Sequence, residues 1–135
     1  MNILRFLRPE CIRLGLNARP SEPRPDETPA QRDARLVDEK ETVVQELAEL
    51  LDLSGEVVNP TKFHRDLVNR ERKATTAILP GIAIPHVRTM QARSFIMGFA
   101  RAEAPGLHFA SLDGAPTRIF FLLASPPYED RIYLQ

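Results

Sequence analysis

The chain has 135 residues, of which 43% are hydrophobic and 27% charged, which is typical of a globular protein. This length fits one domain, residues 1–135, that can bury a substantial core. The 18 Lys and Arg residues balance 18 Asp and Glu residues, so the chain has no net field of one sign that would hold nucleic acid or an anionic membrane.

The cysteine content and the N-terminal segment bear on the compartment. One cysteine, Cys11, excludes an intramolecular disulfide and a cysteine metal cluster. No apolar run approaches the roughly 18 residues that a membrane span needs. Arginines interrupt residues 1–15, which therefore do not resemble a signal peptide. We expect a cytoplasmic protein.

Residues 1–37 change character part-way. Apolar residues among 3–7 and the alternation across 12–16 predict a short helix or turn followed by a brief strand. Residues 19–35 then mix prolines at 20, 23, 25 and 29 with acidic residues and lack apolar periodicity. Such a segment buries too little surface to offset its ordering entropy. It predicts a mobile Pro-rich insert at about 19–37.

The next segment has the pattern of two helices. Asp38 followed by Glu41 predicts a helix start, and apolar residues at 43, 44, 47, 50 and 51 form one buried face. Asn59 and Pro60 predict the cap and first residue of a second helix. Arg70 lies on the apolar face of that helix, so its side chain either extends to solvent or points at an anion.

The rest of the chain has the pattern of strands. Residues 78–84 alternate, but Pro80, Gly81 and Pro85 interrupt them. Residues 94–101 and 117–124 are apolar at successive positions and predict strands covered on both faces, with a short strand at 107–110 between them. Asp113–Gly114 predicts a turn. Two helices followed by strands predict an α+β fold with a mixed sheet between layers.

Three histidines are candidates for chemistry. His64 falls inside the second helix, where a solvated side chain is expected, and His108 falls in the short strand, where a position on the sheet surface is expected. His86 ends an apolar segment directly after Pro85, which holds the preceding residue extended. From the residues alone, His86 is a nucleophile, a metal ligand or a packing residue at a strand end.

Several activities lack their motifs. No HxH, HxxxH or CxxC spacing is present to hold a metal, and no Gly-x-Ser-x-Gly turn indicates a serine hydrolase. No Gly-rich loop ending in Lys-Ser or Lys-Thr indicates a nucleotide site. A small hydrolase using His86 as a base is therefore the least supported hypothesis.

The residues around His86 form a more specific pattern. Arg70-Glu71, Thr75-Thr76 and Gly81-Ile-Ala-Ile-Pro-His86 follow one another in an order and spacing that resemble the fructose/mannitol-type enzyme IIA domains of the bacterial sugar phosphotransferase system. Leu112-Asp-Gly-Ala-Pro and Ile119-Phe-Phe-Leu-Leu-Ala-Ser-Pro126 continue the resemblance. Phe6-Leu-Arg-Pro-Glu10 resembles the opening of the nitrogen-regulatory branch. The resemblance covers most of the chain apart from the Pro-rich insert.

This resemblance implies a three-layer α/β/α sandwich and a role in phosphoryl transfer. His86 would accept a phosphoryl group from the phosphohistidine carrier protein and pass it to an enzyme IIB domain or a regulatory target protein. Arg70 would stabilise the phosphate, unless it pairs with Glu71 or Asp66. Thr76 would either hydrogen-bond the phosphate or shape the turn, and Gly81 would let the backbone pass close beneath the histidine. No metal or other cofactor is implied.

Two departures from the family pattern bear on activity. Tyr133 stands where the family commonly has a second histidine, and a tyrosine does not titrate near neutral pH. The family's helical ending has no counterpart before Gln135, so the C-terminal helices of the sandwich are expected to be missing. An uncovered sheet face would favour self-association into a homo-oligomer or low stability.

Two hypotheses follow. The chain is a phosphoryl carrier in phosphotransferase-system regulation or sugar uptake, or it is a non-catalytic regulatory interaction domain that keeps the fold without efficient phosphotransfer. Phosphorylation that depends on His86 distinguishes them.

Overall fold

A computed structural model of the protein describes residues 3–128. A short 3-10 helix, Ile3–Phe6, comes first. The other elements are, in chain order, strand β1 (Leu7–Arg13), helices α1 (Pro29–Asp52) and α2 (Pro60–Lys73), and strands β2 (Ile82–Ala83), β3 (His86–Arg88), β4 (Ile96–Arg101) and β5 (Ile119–Ser125). Within this part of the chain no helix is both long enough and apolar enough to span a bilayer.

The five strands form one mixed sheet. Strands β1, β4, β5 and β2 lie side by side in that order, and β3 also pairs with β5. Strands β4 and β5 are antiparallel, with Ile96 opposite Ala124 and Arg101 opposite Ile119, whereas the other pairs are parallel. The predicted α+β class with a mixed sheet is confirmed. Strand β5 holds both β2 and β3, the strands that flank the bend before His86.

Helix α1 begins at Pro29, inside the segment predicted to be a mobile insert. The Thr28 hydroxyl accepts a hydrogen bond from the amide of Gln31 at 3.1 Å, and the Gln31 side chain accepts one from the amide of Thr28 at 2.9 Å. The predicted start at Asp38 is therefore wrong, and so is the insert over residues 29–37. This reciprocal cap and a proline at the first helical position begin the helix without an apolar face in its first turns.

Residues 19–28 are tied to α1 by polar contacts. Glu39, which is 7% exposed, accepts hydrogen bonds from the amide and the hydroxyl of Ser21, at 2.8 and 2.6 Å. Burial raises the pKa of Glu39, but these bonds and one from the amide of His108 outweigh it and leave the pKa below its usual value. Arg35 pairs with Glu27 at 2.8 Å. Mobility of residues 19–28 stays a prediction.

Helix α1 packs closely on one face of the sheet. A Cβ at Gly98 would lie 2.9 Å from the carbonyl oxygen of Cys11, 3.0 Å from Cδ2 of Leu51 in α1 and 3.3 Å from Cδ1 of Leu122. Glycine at this position therefore lets the helix approach the sheet. Helix α2 lies beside α1, and residues of both helices line a shared cavity. Residues 3–128 thus form the sheet and one helical layer of the predicted sandwich.

The opposite face of the sheet, here called the outer face, carries Ile12, Phe99 and Phe121. Phe99 is in register with both other residues, and the Phe99 and Phe121 rings are 5.3 Å apart at 68°. Ile12 is 38% exposed and Phe121 45% exposed. This face is the apolar surface from which self-association is expected.

Replacing Phe121 with Asn is expected to weaken self-association, because it removes the most exposed aromatic ring of the outer face. Sedimentation velocity over a range of protein concentrations measures the effect. Leu53→Asn is the matched control, since Leu53 is 56% exposed at the end of α1 rather than on the sheet. A wild-type chain that stays a single monomeric species at every concentration contradicts the prediction.

The segment before β5 is less regular than predicted. A strand was expected at residues 107–110, but of these residues only Leu107 forms a β-bridge in the described structure. It makes two backbone hydrogen bonds with Thr117, at 2.9 and 2.8 Å, so the prediction of a strand is wrong. The predicted turn at Asp113–Gly114 is confirmed: Gly114 has a φ of 74°, and the Asp113 carboxylate accepts from the amide of Ala115 at 3.0 Å.

Candidate functional site

Helix α2 carries Arg70 to the site. As predicted, Asn59 caps the helix, its side chain accepting from the amide of Lys62 at 3.0 Å, and Pro60 occupies the first position. The helix ends at Lys73, and Ala74 continues in an extended conformation. Arg70 folds over this end and donates to the carbonyl of Ala74 at 3.0 Å. A cation in the last turn is favourable because the helix ends on unpaired carbonyls.

A tight turn precedes the histidine. The amide of Ile82 donates to the carbonyl of Leu79 at 3.2 Å, and Gly81, the third residue of this turn, has a φ of 70°. This φ is what a type II turn requires, with Pro80 favoured at the second position. A Cβ at Gly81 would meet nothing within 4 Å. The expected close passage beneath the histidine is therefore wrong, and the glycine is needed for its backbone angle.

The His86 ring is held from both sides. Its Nδ1 lies 2.7 Å from the carbonyl oxygen of Ile84, and its Nε2 lies 3.3 Å from Nη2 of Arg70. The two residues singled out from the sequence, Arg70 and His86, are thus in contact. The Ile84 carbonyl was not identified from the sequence, because any residue type supplies a carbonyl and only its direction makes it part of a site.

These two contacts define the tautomer of His86. A carbonyl only accepts, so Nδ1 must carry the proton that points at Ile84. A guanidinium only donates, so Nε2 must present its lone pair to Arg70. The neutral ring with its proton on Nδ1 satisfies both contacts. Nε2 then carries the lone pair of the ring.

His86 lies in an open depression with a volume of about 850 Å³. Arg70, Lys73 and Arg88 also line it, and Asp66 supplies the carboxylate among the described lining residues. Asp66 accepts a hydrogen bond from the Thr89 hydroxyl at 2.6 Å. The mouth around Nε2 is therefore predominantly cationic, which suits a phosphoryl group with its anionic oxygens.

Thr76 and Glu71 are buried and do not line this depression. Thr76 is 4% exposed, and its hydroxyl donates a short hydrogen bond to Glu71. Glu71 pairs with Lys40 of α1 at 3.1 Å rather than with Arg70. Arg70 and Glu71 are adjacent in sequence, but Arg70 contacts His86 whereas Glu71 contacts Lys40 and Thr76.

The other two histidines lie away from the depression. The Nε2 atom of His64 is buried and has no hydrogen-bond partner among residues 3–128, so the expected solvated position is wrong for this atom. His108 lines the cavity between α1 and α2, where burial lowers the pKa of its ring. In the part of the chain that the structure describes, neither ring has the paired contacts that define the tautomer of His86.

Comparison with protein families identifies the chain. Residues 32–135 match the model of the phosphoenolpyruvate-dependent sugar phosphotransferase system EIIA 2 family. The chain belongs to this family. The matched residues include helix α2, the turn at Gly81 and His86. They also include helix α1 apart from its first residues, since this helix begins at Pro29.

Relatives of this EIIA domain come from two groups. The chain is 32% identical over 97 residues to the fructose-specific EIIABC component of Bacillus subtilis, covering 72% of this chain and 15% of that protein. It is 36% identical over 91 residues to a nitrogen regulatory protein of Bradyrhizobium diazoefficiens, covering 67% of this chain and 58% of that protein. The chain therefore spans less than two thirds of either relative.

Solved structures share the fold of this EIIA domain. The nitrogen regulatory protein IIA-Ntr of Neisseria meningitidis matches with a TM-score of 0.75 at 22% identity, over 99% of this chain and 77% of the other. The mannitol IIA enzyme of Escherichia coli, in its complex with phosphorylated IIB, matches with a TM-score of 0.64 at 19% identity, over 95% of this chain and 77% of the other.

Tyr133, which stands where the family commonly has a second histidine, lies outside the described residues.

Proposed function

We propose that this EIIA domain is a cytoplasmic phosphoryl carrier that accepts a phosphoryl group on Nε2 of His86 from the phosphohistidine carrier protein. The contact pair at His86 is the observation that carries the proposal. The carbonyl oxygen of Ile84 lies 2.7 Å from Nδ1 of His86 and keeps the ring proton on that nitrogen. Nη2 of Arg70 lies 3.3 Å from Nε2. The first contact leaves the lone pair of the ring on Nε2. The second places a cation where the oxygens of the phosphoryl group would lie.

The chemical step is a displacement at phosphorus. The lone pair of His86 Nε2 forms the new P–N bond, and the P–N bond to the donor histidine breaks, returning its electron pair to the donor ring. Positive charge then develops on the His86 ring, and the Ile84 carbonyl stabilises it through the Nδ1 proton. Arg70 moves its N–H groups from Nε2 onto the phosphoryl oxygens.

The role downstream of His86 is either regulation or sugar uptake. Relatives named as nitrogen regulatory proteins support regulation, and a relative named as a fructose-specific component supports uptake. The mannitol IIA neighbour forms a complex with phosphorylated IIB. By analogy, this domain passes its phosphoryl group to an enzyme IIB domain or to a regulatory target protein.

Incubation with the phosphohistidine carrier protein, its upstream kinase and phosphoenolpyruvate tests the proposal. Intact-mass spectrometry at neutral pH should show one phosphate on the wild type, lost after brief acid treatment because a P–N bond is acid-labile. His86→Ala should gain none, and His108→Ala, the matched control, should gain one. A wild type that gains no phosphate from a carrier active on another acceptor overturns the proposal and leaves the non-catalytic interaction domain.

A further inference from the structure

The carboxylate of Glu71 is buried beside the site and fully engaged. Its side chain is 2% exposed, in the last turn of α2 next to Arg70. Nζ of Lys40 lies 3.1 Å from Oε2, and the amide of Thr76 donates to the same oxygen at 3.3 Å. The Thr76 hydroxyl donates to Oε1 in a short hydrogen bond. A charge this deeply buried is tolerated only with such partners, so the group holds Thr76 in a defined place.

Thr76 is connected to the His86 ring through one residue. The carbonyl of Thr76 accepts a hydrogen bond from the amide of Ile84 at 3.2 Å. The carbonyl of the same Ile84 faces Nδ1 of His86 at 2.7 Å. The direction of this carbonyl defines the tautomer of the ring, and the Thr76–Ile84 bond helps to set that direction.

We infer that Glu71 is a positioning residue for His86, which acts through Thr76 and Ile84 to keep the proton on Nδ1 and the lone pair on Nε2. Lys40 is its counterion from α1. This inference rests on the proposed function of His86 as acceptor. It also assigns the Thr76 hydroxyl to Glu71 rather than to the phosphate. Of the two roles expected for Thr76, this inference therefore supports shaping the turn.

A positioning role differs from a purely structural one in its effect on the unphosphorylated ring. If Glu71 only stabilised the fold, its loss would lower the unfolding temperature without changing the tautomer of His86 in molecules that remain folded. If the Thr76 hydroxyl contacted the phosphate, its loss would slow transfer without changing the tautomer before transfer. Nitrogen chemical shifts of the His86 ring measure the tautomer directly, because protonated and unprotonated ring nitrogens have distinct shifts.

Glu71→Gln is the decisive variant, measured at a temperature at which it is folded. We expect both tautomers in its ring spectrum, and phosphoryl gain per folded molecule slower by about tenfold or more, since small misplacements of reacting groups cost up to roughly 100-fold. Glu41→Gln is the matched control: Glu41 is also ion-paired, with Arg72, but contacts neither Thr76 nor Ile84 in the described structure. It should retain the wild-type tautomer and rate.

Thr76 variants decide the matter if Glu71→Gln does not fold. Thr76→Val should give both tautomers and slow transfer, whereas Thr76→Ser, which keeps the hydroxyl, should restore the wild-type spectrum and rate. A single wild-type tautomer in Glu71→Gln, or in Thr76→Val where Glu71→Gln is unfolded, overturns the inference. If the wild type accepts no phosphate, the proposed function fails, but the ring spectra still test the positioning role.

Discussion

Replacing Arg70 with alanine is expected to slow phosphoryl gain on His86 by roughly 100-fold, which is the scale of losing one group that stabilises charge in a transition state. Nη2 of Arg70 is 3.3 Å from Nε2 of His86, so the variant removes a cation from the nitrogen that would form the P–N bond. The phosphorylated form should also hydrolyse faster, because Arg70 would no longer hold its oxygens. Quenched-flow transfer from the phosphorylated carrier protein measures the first effect, and the decay of intact mass measures the second.

Arg72→Ala is the control for this prediction. Arg72 is two residues along the same helix, and its guanidinium pairs with Glu41 of α1 instead of facing His86. The two variants remove the same side chain from the same turn of α2, so they share the loss of one cation near the helix end, although only Arg70→Ala also removes the hydrogen bond to the carbonyl of Ala74. Equal transfer rates in Arg70→Ala and the wild type would remove Arg70 from the mechanism. Equal slowing in both variants would show that the loss is one of general charge or helix stability.

Phe120→Ala is expected to lower the free energy of unfolding by about 3–5 kcal/mol, the cost of replacing a fully buried phenylalanine. Phe120 is 0% exposed in β5, and its ring packs edge-on against Phe109 with 5.2 Å between centroids. It is also in register with Ala83 of β2, so its loss loosens the strand that leads towards His86. Urea unfolding followed by circular dichroism measures the change.

The neighbouring residue is the matched control for Phe120. Phe121 is one position along the same strand but 45% exposed on the outer face, where it contacts Phe99. Phe121→Ala is expected to cost about 1 kcal/mol, the scale of an aromatic pair that is only partly buried. Both variants are measured at low protein concentration so that self-association does not contribute. Comparable losses for the two would contradict the assignment of the helix-covered and outer faces.

Local chemistry accounts for the elements that the sequence predicts correctly. Asn59 and Pro60 begin α2 because a capping side chain and a ring-fixed φ act within a few residues. The run of apolar residues over 119–124 correctly predicts the strand β5, but the expectation that both of its faces are covered is wrong for Phe121, which is 45% exposed. Helix α1 was placed too late because its first turns depend on Thr28 and Gln31, whereas its apolar face begins further along.

The candidate site was predictable in part. The motif that resembles a family pattern singles out His86 and Arg70, and the structure places Nη2 of Arg70 3.3 Å from Nε2 of His86. The partner of Glu71 was not predictable. Lys40 lies on a different helix, 31 positions earlier in the chain by its residue number, and no local pattern relates the two. The sequence instead offered Arg70 as the neighbour of Glu71.

The sequence by itself determined the class of fold, the N-terminal cap of the second helix, and the histidine and arginine that we propose for phosphoryl transfer. These properties depend on residue type and on spacing within one element. Only the tertiary structure decided the tautomer of His86, the burial of Glu71 against Lys40, and the exposure of Phe121. The physical reason is that hydrogen-bond direction and burial depend on how separate elements pack, and packing brings together residues that no local pattern links.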